Sequence, residues 1–223
     1  MGALVPLSDA SRRPARIPAV TALIILVNCF GFVLELAGGD AFVNTWSAIP
    51  AQIVSGHQWI TLITSMFMHG SWSHIIGNMI FLWAFGPQIE DAMGRWRYLV
   101  FYFAGGLVAM LAQVAADPHS TVPNLGASGA IAGVMGAYFL LYPRARVLTL
   151  VPFFFVFFMW LPAWIVPGYW FVAQFLSGAA SSITARGGNS SGIAFWAHVG
   201  GFLAGMLLIK VFPARTRRYH YGL

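Results

Sequence analysis

The sequence predicts an all-α membrane protein, a bundle of six transmembrane helices with both termini in the cytoplasm. Three observations support this fold class. Of the 223 residues, 59% are hydrophobic and only 8% are charged, whereas a soluble domain carries about 25% charged residues. Several apolar runs are long enough to cross a bilayer, and the basic residues are sorted to one side of them. We therefore expect a lipid bilayer around most of the chain.

Six apolar segments are expected to span the membrane, and together they form one domain over residues 19–212. Residues 1–18 are expected to form a cytoplasmic N-terminal segment, and residues 213–223 a basic cytoplasmic tail. The predicted spans, in chain order, are Ala19–Ala37, Trp72–Gly86, Tyr98–Ala115, Leu125–Leu141, Leu161–Leu176 and Ile193–Phe212.

The connections between these spans differ in character. The first, Gly38 to Trp59, is too long for a turn and partly apolar. We expect an interfacial, partly helical loop with Trp46 and Trp59 at headgroup depth. The stretch QIEDAMGRWR is expected to form a charged turn after the second span. The very apolar stretch from Val147 to Met159 is expected to dip into the membrane ahead of the fifth span.

The basic residues indicate the orientation of the bundle. With six spans, eleven of them fall on the side of the termini: Arg12, Arg13, Arg16, Arg95, Arg97, Arg144, Arg146, Lys210, Arg215, Arg217 and Arg218. Only Arg186 falls on the other side. Because lysine and arginine concentrate in cytoplasmic loops, both termini are expected in the cytoplasm. With no organellar presequence visible, we expect a prokaryotic plasma membrane. The positive charge reports orientation, so no nucleic-acid partner is expected.

Two of the spans present a face of small residues beside one reactive side chain. In NLGASGAIAGVMGAY three residues recur at four-residue intervals: Ser128, Ala132 and Gly136. In FWAHVGGFLAG one helical face carries His198, Gly201 and Gly205. Gly129 and Gly133 further thin the first of these helices. Because faces without bulk let membrane helices approach closely, we expect the two spans to pack there and to bring Ser128 and His198 to the same depth.

The pair of Ser128 and His198 has two interpretations. A serine beside a histidine base is the minimum for nucleophilic catalysis. Alternatively, Ser128 only helps the helices to pack, and His198 hydrogen-bonds to it. No acidic residue is placed to complete a triad, because the candidates lie in loops or across the membrane: Asp40, Asp117, Glu90 and Asp91. We therefore expect a Ser–His dyad whose imidazole is oriented by packing or by a neutral group.

A second polar pair lies on the second span, in HGSWSHIIGN. His74 and Asn78 are one helical turn apart and costly to bury unpaired. They are either donors for an oxyanion, together with the backbone N–H of Ser128, or a polar clamp between helices. His69 is expected at the membrane surface in a structural or hydration role. Glu90 is expected to anchor the cytoplasmic turn together with its arginines.

The sequence gives no indication of a metal or cofactor. No HExxH motif occurs, and the single cysteine, Cys29, lies in the middle of the first span. A zinc site needs three or four ligands within reach of each other. We expect no metal and no cofactor, and we expect Cys29 to be a buried structural thiol.

With these residues assembled, the chain resembles the rhomboid family of intramembrane serine proteases. The resemblance runs from about Gln58 to Gly205 and rests on three motifs in family order, HIIGN, GASG and AHVGGFLAG. It implies that Ser128 is the nucleophile, that His198 is the general base, and that His74 and Asn78 stabilise the oxyanion. It also implies a serine endopeptidase that cleaves transmembrane proteins. The loop Ser177–Gly192 would be the cap over the site, and the fifth span a lateral gate.

The chain departs from the family pattern in two places. Ile60 and Thr61 stand where many members carry Trp-Arg in the first loop. Ala132 stands where some members place a tyrosine that stacks on the histidine, so another group must hold His198. Two alternatives remain open at this point: a non-catalytic relative that binds transmembrane helices, and a small transporter or channel. The absence of internal repeats disfavours the transporter.

Overall fold

A computed structural model describes residues 4–9, 14–152, 156–184, 194–212 and 214. Its helices are α1 (Ala19–Trp46), α2 (Pro50–Val54), α3 (Thr61–Thr64), a 3₁₀ turn (Ser65–Phe67), α4 (Trp72–Met93), α5 (Arg95–Ala116), α6 (Ser128–Leu141), α7 (Ile165–Thr184) and α8 (Phe195–Val211). Its strands are β1 (Val5–Asp9), β2 (Arg146–Pro152) and β3 (Val156–Pro162). Helix α7 continues past Leu176 to Thr184, so the prediction of a cap loop is wrong over its first half, from Ser177 to Thr184. Residues 185–192, which form the other half of the predicted cap, the first residue of the predicted sixth span and most of the tail lie outside the described residues.

Each predicted span corresponds to one long helix, α1 and α4 to α8. Two of these helices are long and apolar enough to cross a membrane by themselves, with mean hydropathies of 2.2 for α1 and 1.9 for α5. Three shorter apolar segments also occur, 128–141, 165–177 and 195–211. The described helices therefore match the positions of the predicted spans, although not all of their boundaries.

The boundaries differ most at the C-terminal ends of α1, α4 and α7. Helix α1 continues past Ala37 to Trp46 through one non-helical residue, Gly39, with φ 58° and ψ −151°. Together with α2, this confirms the helical content predicted for the first connection. Helix α4 runs through the predicted charged turn to Met93, and Gly94 alone, with φ 82°, separates it from α5. The predicted ten-residue turn is therefore wrong.

Glu90, in the part of α4 that was predicted as a turn, links α4 to α1. Its carboxylate, 3% exposed, accepts hydrogen bonds from the backbone N–H of Val20 at 3.0 Å and of Thr21 at 2.8 Å, and from the Thr21 hydroxyl at 2.8 Å. These amides belong to the first turn of α1, which has no intrahelical acceptor for them. Glu90 therefore anchors the start of α1, whereas the sequence predicted that Glu90 and the neighbouring arginines would anchor the cytoplasmic turn.

The prediction of an all-α protein is wrong in one region. Strands β1, β2 and β3 form an antiparallel sheet in that order, with Val5 opposite Leu150 and Leu148 opposite Trp160. The stretch predicted to dip into the membrane is thus a hairpin, and the N-terminal segment supplies its third strand. Periodicity alone does not separate a continuous apolar run in a strand from one in a helix, which is why the sequence prediction failed here.

Helix α6 lies at the centre of the bundle. Every residue from Gly129 to Tyr138 is buried, and α6 packs against α4, α5, α7 and α8. By contrast, Cys29 on α1 is exposed at the outside of the bundle, so the prediction of a buried thiol is wrong. A helix surrounded on all sides by others provides a fixed position for the residue at its first turn, Ser128.

Candidate active site

Ser128 and His198 meet across the interface of α6 and α8. The Ser128 Oγ lies 2.7 Å from the His198 Nε2, which is hydrogen-bond distance. Ser128 is the first residue of α6 and His198 the fourth of α8. The histidine is 9% exposed. The structure therefore brings together the two side chains that the small-residue faces predicted to meet.

Glycines make this approach of the two helices feasible. A Cβ at Gly201 would overlap the carbonyl oxygen of Gly129, and a Cβ at Gly205 would overlap that of Gly133. The helix backbones are therefore in direct contact, as in other small-residue interfaces of membrane helices. Gly129, Gly201 and Gly205 lie at this interface. Ala132 is fully buried in the core, and the close contacts on α6 pass through Gly129, Gly133 and Gly136.

The start of α8 is held by a neighbouring helix. The backbone N–H of Ala197 donates a 3.2 Å hydrogen bond to the side-chain oxygen of Gln113 on α5. The residue before α8, Ala194, has no side chain that could cap the helix. Gln113 thus acts as a cap from another helix, one residue before His198. The backbone that carries the histidine is therefore fixed on two sides, by α5 and α6.

The second ring nitrogen of His198 has its own partner. The His198 Nδ1 lies 2.7 Å from the Oε1 of Gln174 on α7. One turn earlier on the same helix, the ring of Trp170 lies against the imidazole, with centroids 5.2 Å apart at an angle of 49°. Gln174 and Trp170 are therefore neutral groups that orient the imidazole, as expected for a Ser–His pair without an acidic third member.

His74 and Asn78 line the same cavity as Ser128 and His198. The cavity has a volume of about 560 Å³, and Gln174 also lines it. The side-chain nitrogen of Asn78 is buried without a hydrogen-bond partner, which leaves a donor unused at the cavity wall. Both polar pairs named from the sequence thus share one cavity.

Gly126 makes room for the ring of His74 beside Ser128. Its φ of 129° belongs to the region that favours glycine. A Cβ at this position would lie 2.9 Å from the Cε1 and Nε2 of His74 and 3.4 Å from the Ser128 Oγ. The backbone N–H of His74 donates a hydrogen bond to the hydroxyl of Ser71 at 3.2 Å. The first glycine of GASG, Gly126, therefore leaves the space that the His74 ring occupies beside Ser128.

His69 is completely buried, which agrees with the structural role predicted for it and not with a hydration role. Its ring meets that of His74 edge to face, with centroids 5.0 Å apart. Its backbone N–H donates to the carboxylate of Glu35 at 2.7 Å. Because Glu35 belongs to α1, this bond ties the segment before α4 to α1.

Among the described residues, no group of three or more histidine, cysteine, aspartate or glutamate side chains is arranged to hold a metal ion. The cavity is lined by hydroxyl, imidazole and amide groups, among them those of Ser128, His198 and Asn78.

The fold is an apolar helical bundle, and its cavity holds a serine hydroxyl within hydrogen-bond distance of a histidine ring. These features define the class as a membrane protein with a Ser–His site. The Rhomboid domain model matches residues 56–215, well over half of the 223 residues. The chain belongs to the Rhomboid family, and it is an integral membrane protein.

Relatives occur in bacteria and in organelles. The Rhomboid protease GluP of Bacillus subtilis (strain 168) is 33% identical over 129 residues, which cover 56% of this chain and 24% of GluP. Rhomboid protein 1, mitochondrial, of Saccharomyces cerevisiae is 32% identical over 154 residues, 66% of this chain and 40% of the yeast protein. The Putative rhomboid protease YdcA of Bacillus subtilis is 32% identical over 85 residues, 38% of this chain and 42% of YdcA. The chain thus spans less than half the length of these relatives.

Sequence analysis missed the two glutamines. A signal was present, because Gln174 is the only amide side chain between Ile165 and Leu176, and amides in a membrane usually pair with a polar partner. Gln113 stands in a similar setting near the end of α5. The hydrogen-bond partner of each glutamine depends on how the helices are rotated about their axes, and the sequence does not show this rotation.

Proposed function

We propose that this protein is an intramembrane serine endopeptidase that cleaves peptide bonds in or near transmembrane segments of other membrane proteins. The observation that carries the proposal is the 2.7 Å contact between the Ser128 Oγ and the His198 Nε2. A hydroxyl and a base within hydrogen-bond reach, with the base oriented by a third group, have the arrangement of an activated nucleophile.

In the proposed reaction, His198 takes the proton of Ser128 as the hydroxyl attacks the scissile carbonyl carbon. The resulting tetrahedral intermediate collapses, and the imidazolium gives its proton to the leaving amine. Water then enters the cavity, His198 takes one of its protons, and the new hydroxide attacks the acyl-enzyme. The second collapse returns the proton to the Ser128 oxygen and releases the new carboxyl terminus.

The carbonyl oxygen becomes negatively charged in both intermediates and needs donors in place beforehand. We assign this role to the side chains of His74 and Asn78 and to the backbone N–H of Ser128. The unpartnered nitrogen of Asn78 supports the assignment, because a buried donor without a partner costs about 1–3 kcal/mol. That cost is removed when an oxyanion accepts its hydrogen bond. Loss of one such donor typically lowers kcat about 10²–10³-fold.

The substrate class follows from the membrane setting. A transmembrane helix hides its carbonyl groups in backbone hydrogen bonds, so the scissile segment should contain glycine or proline and a small residue at the cut. We further propose six spans with both termini in the cytoplasm, a cavity that opens to the non-cytoplasmic side, and a prokaryotic plasma membrane as the location. The one-sided distribution of lysine and arginine supports this orientation.

The test uses the purified full chain in liposomes with a model transmembrane substrate that contains a Gly-Ala pair. Wild type should cleave the substrate, whereas Ser128→Ala and His198→Ala should lose essentially all activity because no nucleophile or base remains. A fluorophosphonate probe should label wild type but not Ser128→Ala. Cleavage by Ser128→Ala would refute the proposal. A folded wild type that neither cleaves nor reacts with the probe would favour a helix-binding relative, and ion or solute flux would favour a transporter.

A further inference from the structure

We propose that Gln174 is the residue that positions His198, by holding the hydrogen of the imidazole on Nδ1. The inference rests on the proposed function and adds to it the group that prepares the base. It answers the question raised by the missing acid, because no charge is needed to orient a neutral ring.

The argument begins with the two nitrogens of the ring. A neutral imidazole has one N–H and one acceptor nitrogen. To accept the proton of Ser128, the Nε2 must be the acceptor, so the hydrogen must sit on Nδ1. The Oε1 of Gln174 lies 2.7 Å from Nδ1, and a carbonyl oxygen can only accept there. This contact therefore favours the one tautomer in which Nε2 faces the serine as a base.

The buried carboxylates of the described helices are engaged elsewhere. Glu35 accepts from the backbone of His69, and Glu90 accepts from the first turn of α1. A carboxylate beside the imidazole would also place a charge in the membrane, where charges are expensive. An amide fixes the tautomer through its dipole without that cost.

A second contact from the same helix limits the rotation of the ring. Trp170 precedes Gln174 by four residues, so both lie on one face of α7. Its ring packs on the imidazole at a centroid distance of 5.2 Å. Ala132, one turn after Ser128 on α6, has no ring to offer. The support that α6 lacks is therefore supplied by α7, and a displacement of α7 from α8 would remove both contacts at once.

The anchoring of α7 is compatible with this role. Just before the helix, the N–H of Ala163 donates to the carbonyl of Ala145 at 2.7 Å, and Val166 in its first turn is fully buried. Strand β3 is paired with β2 along its length. The sheet thus fixes the beginning of α7, and Gln174 lies about two and a half turns further along.

Three variants test the proposal: Gln174→Leu removes the acceptor at similar size, Gln174→Glu keeps an oxygen acceptor, and Leu176→Ala alters an exposed residue of the same helix. For Gln174→Leu we expect kcat to fall about 10- to 100-fold, part of the roughly 10²–10⁴ that a general base supplies. KM and thermal stability should stay near wild type. Gln174→Glu should recover most of the lost kcat, and Leu176→Ala should match wild type.

The tautomer itself gives an independent readout. In protein labelled with ¹⁵N-histidine, the His198 signals, assigned by comparison with His198→Ala, should show the hydrogen on Nδ1 in wild type and a mixed population in Gln174→Leu. An unchanged tautomer, a kcat within twofold of wild type for Gln174→Leu, or a loss not recovered by Gln174→Glu would overturn the proposal. Because the spectrum is recorded without substrate, the test remains decisive even if the chain proves not to cleave peptides.

Discussion

Replacing Gly201 by alanine should separate Ser128 from His198 although neither residue is changed. The new Cβ would overlap the carbonyl oxygen of Gly129, and Cβ atoms essentially never approach other atoms closer than 3.0 Å. To restore a normal contact, α6 and α8 must move apart by about 1 Å. His198 lies one turn from Gly201, so it moves with this part of α8.

The size of the effect follows from the hydrogen bond. Adding about 1 Å to the 2.7 Å between Oγ and Nε2 gives about 3.7 Å, beyond the length of a hydrogen bond. A misplacement of this size can cost about 10²-fold in rate. The overpacked interface should also lose about 1–3 kcal/mol of stability. We therefore expect Gly201→Ala to remain folded but to cleave about 100-fold more slowly.

The matched control is Gly105→Ala on α5, which also faces α6. Its Cβ would lie 3.9 Å from the Gly133 Cα, an ordinary contact, so cleavage should be unchanged. The assay is cleavage of the model substrate in liposomes, together with fluorophosphonate labelling and the thermal midpoint of each variant. The reasoning is refuted if folded Gly201→Ala keeps activity within twofold of wild type, or if Gly105→Ala is equally impaired.

Two further predictions concern the oxyanion donors and the cytoplasmic anchor. Asn78→Ala should lower kcat about 10²–10³-fold with little change in KM, because its amide is needed only when charge develops; steady-state kinetics check this, and a change in KM alone would contradict it. Glu90→Ala should lower the free energy of unfolding by roughly 2–4 kcal/mol, because the partly buried N–H of Val20 and the buried donors of Thr21 lose their acceptor. Its denaturation midpoint checks this, and a stability equal to wild type would show that the cap is dispensable.

The central helix pair was predictable because its information is local. The small residues that follow Ser128 along α6 and His198 along α8 lie on one face of each helix. Because both faces lack bulky side chains, the two helices can pack closely there. The depth of the two residues followed from where each span begins. The predicted face of α6 also included Ala132, whereas the closest contacts with α8 pass through Gly129, Gly133 and Gly136, and a pattern of small residues does not resolve this difference.

The sheet and the contact of Gln174 were not predictable because both depend on distant partners. Strand β1 pairs with a segment more than a hundred residues away, Val5 with Leu150, and its own sequence has no pattern that names this partner. Around Gln174, from Ile165 to Leu176, the sequence of α7 is mostly apolar, so it does not say how the helix is rotated against α8. An amide on such a helix signals that a polar partner exists, but the identity of that partner requires the rotation of the helix.

The placement of charge and dipole in this molecule follows one physical rule. The buried carboxylate of Glu35, inside α1, accepts a hydrogen bond from the backbone N–H of His69. The carboxylate of Glu90, near the end of α4, accepts from the backbone N–H of Thr21 in the first turn of α1. The groups that hold His198 are amides, Gln113 through the backbone and Gln174 through the ring. Neutral partners add little desolvation cost and place no fixed charge beside the base, so a serine and a histidine can be kept ready for reaction within an apolar bundle.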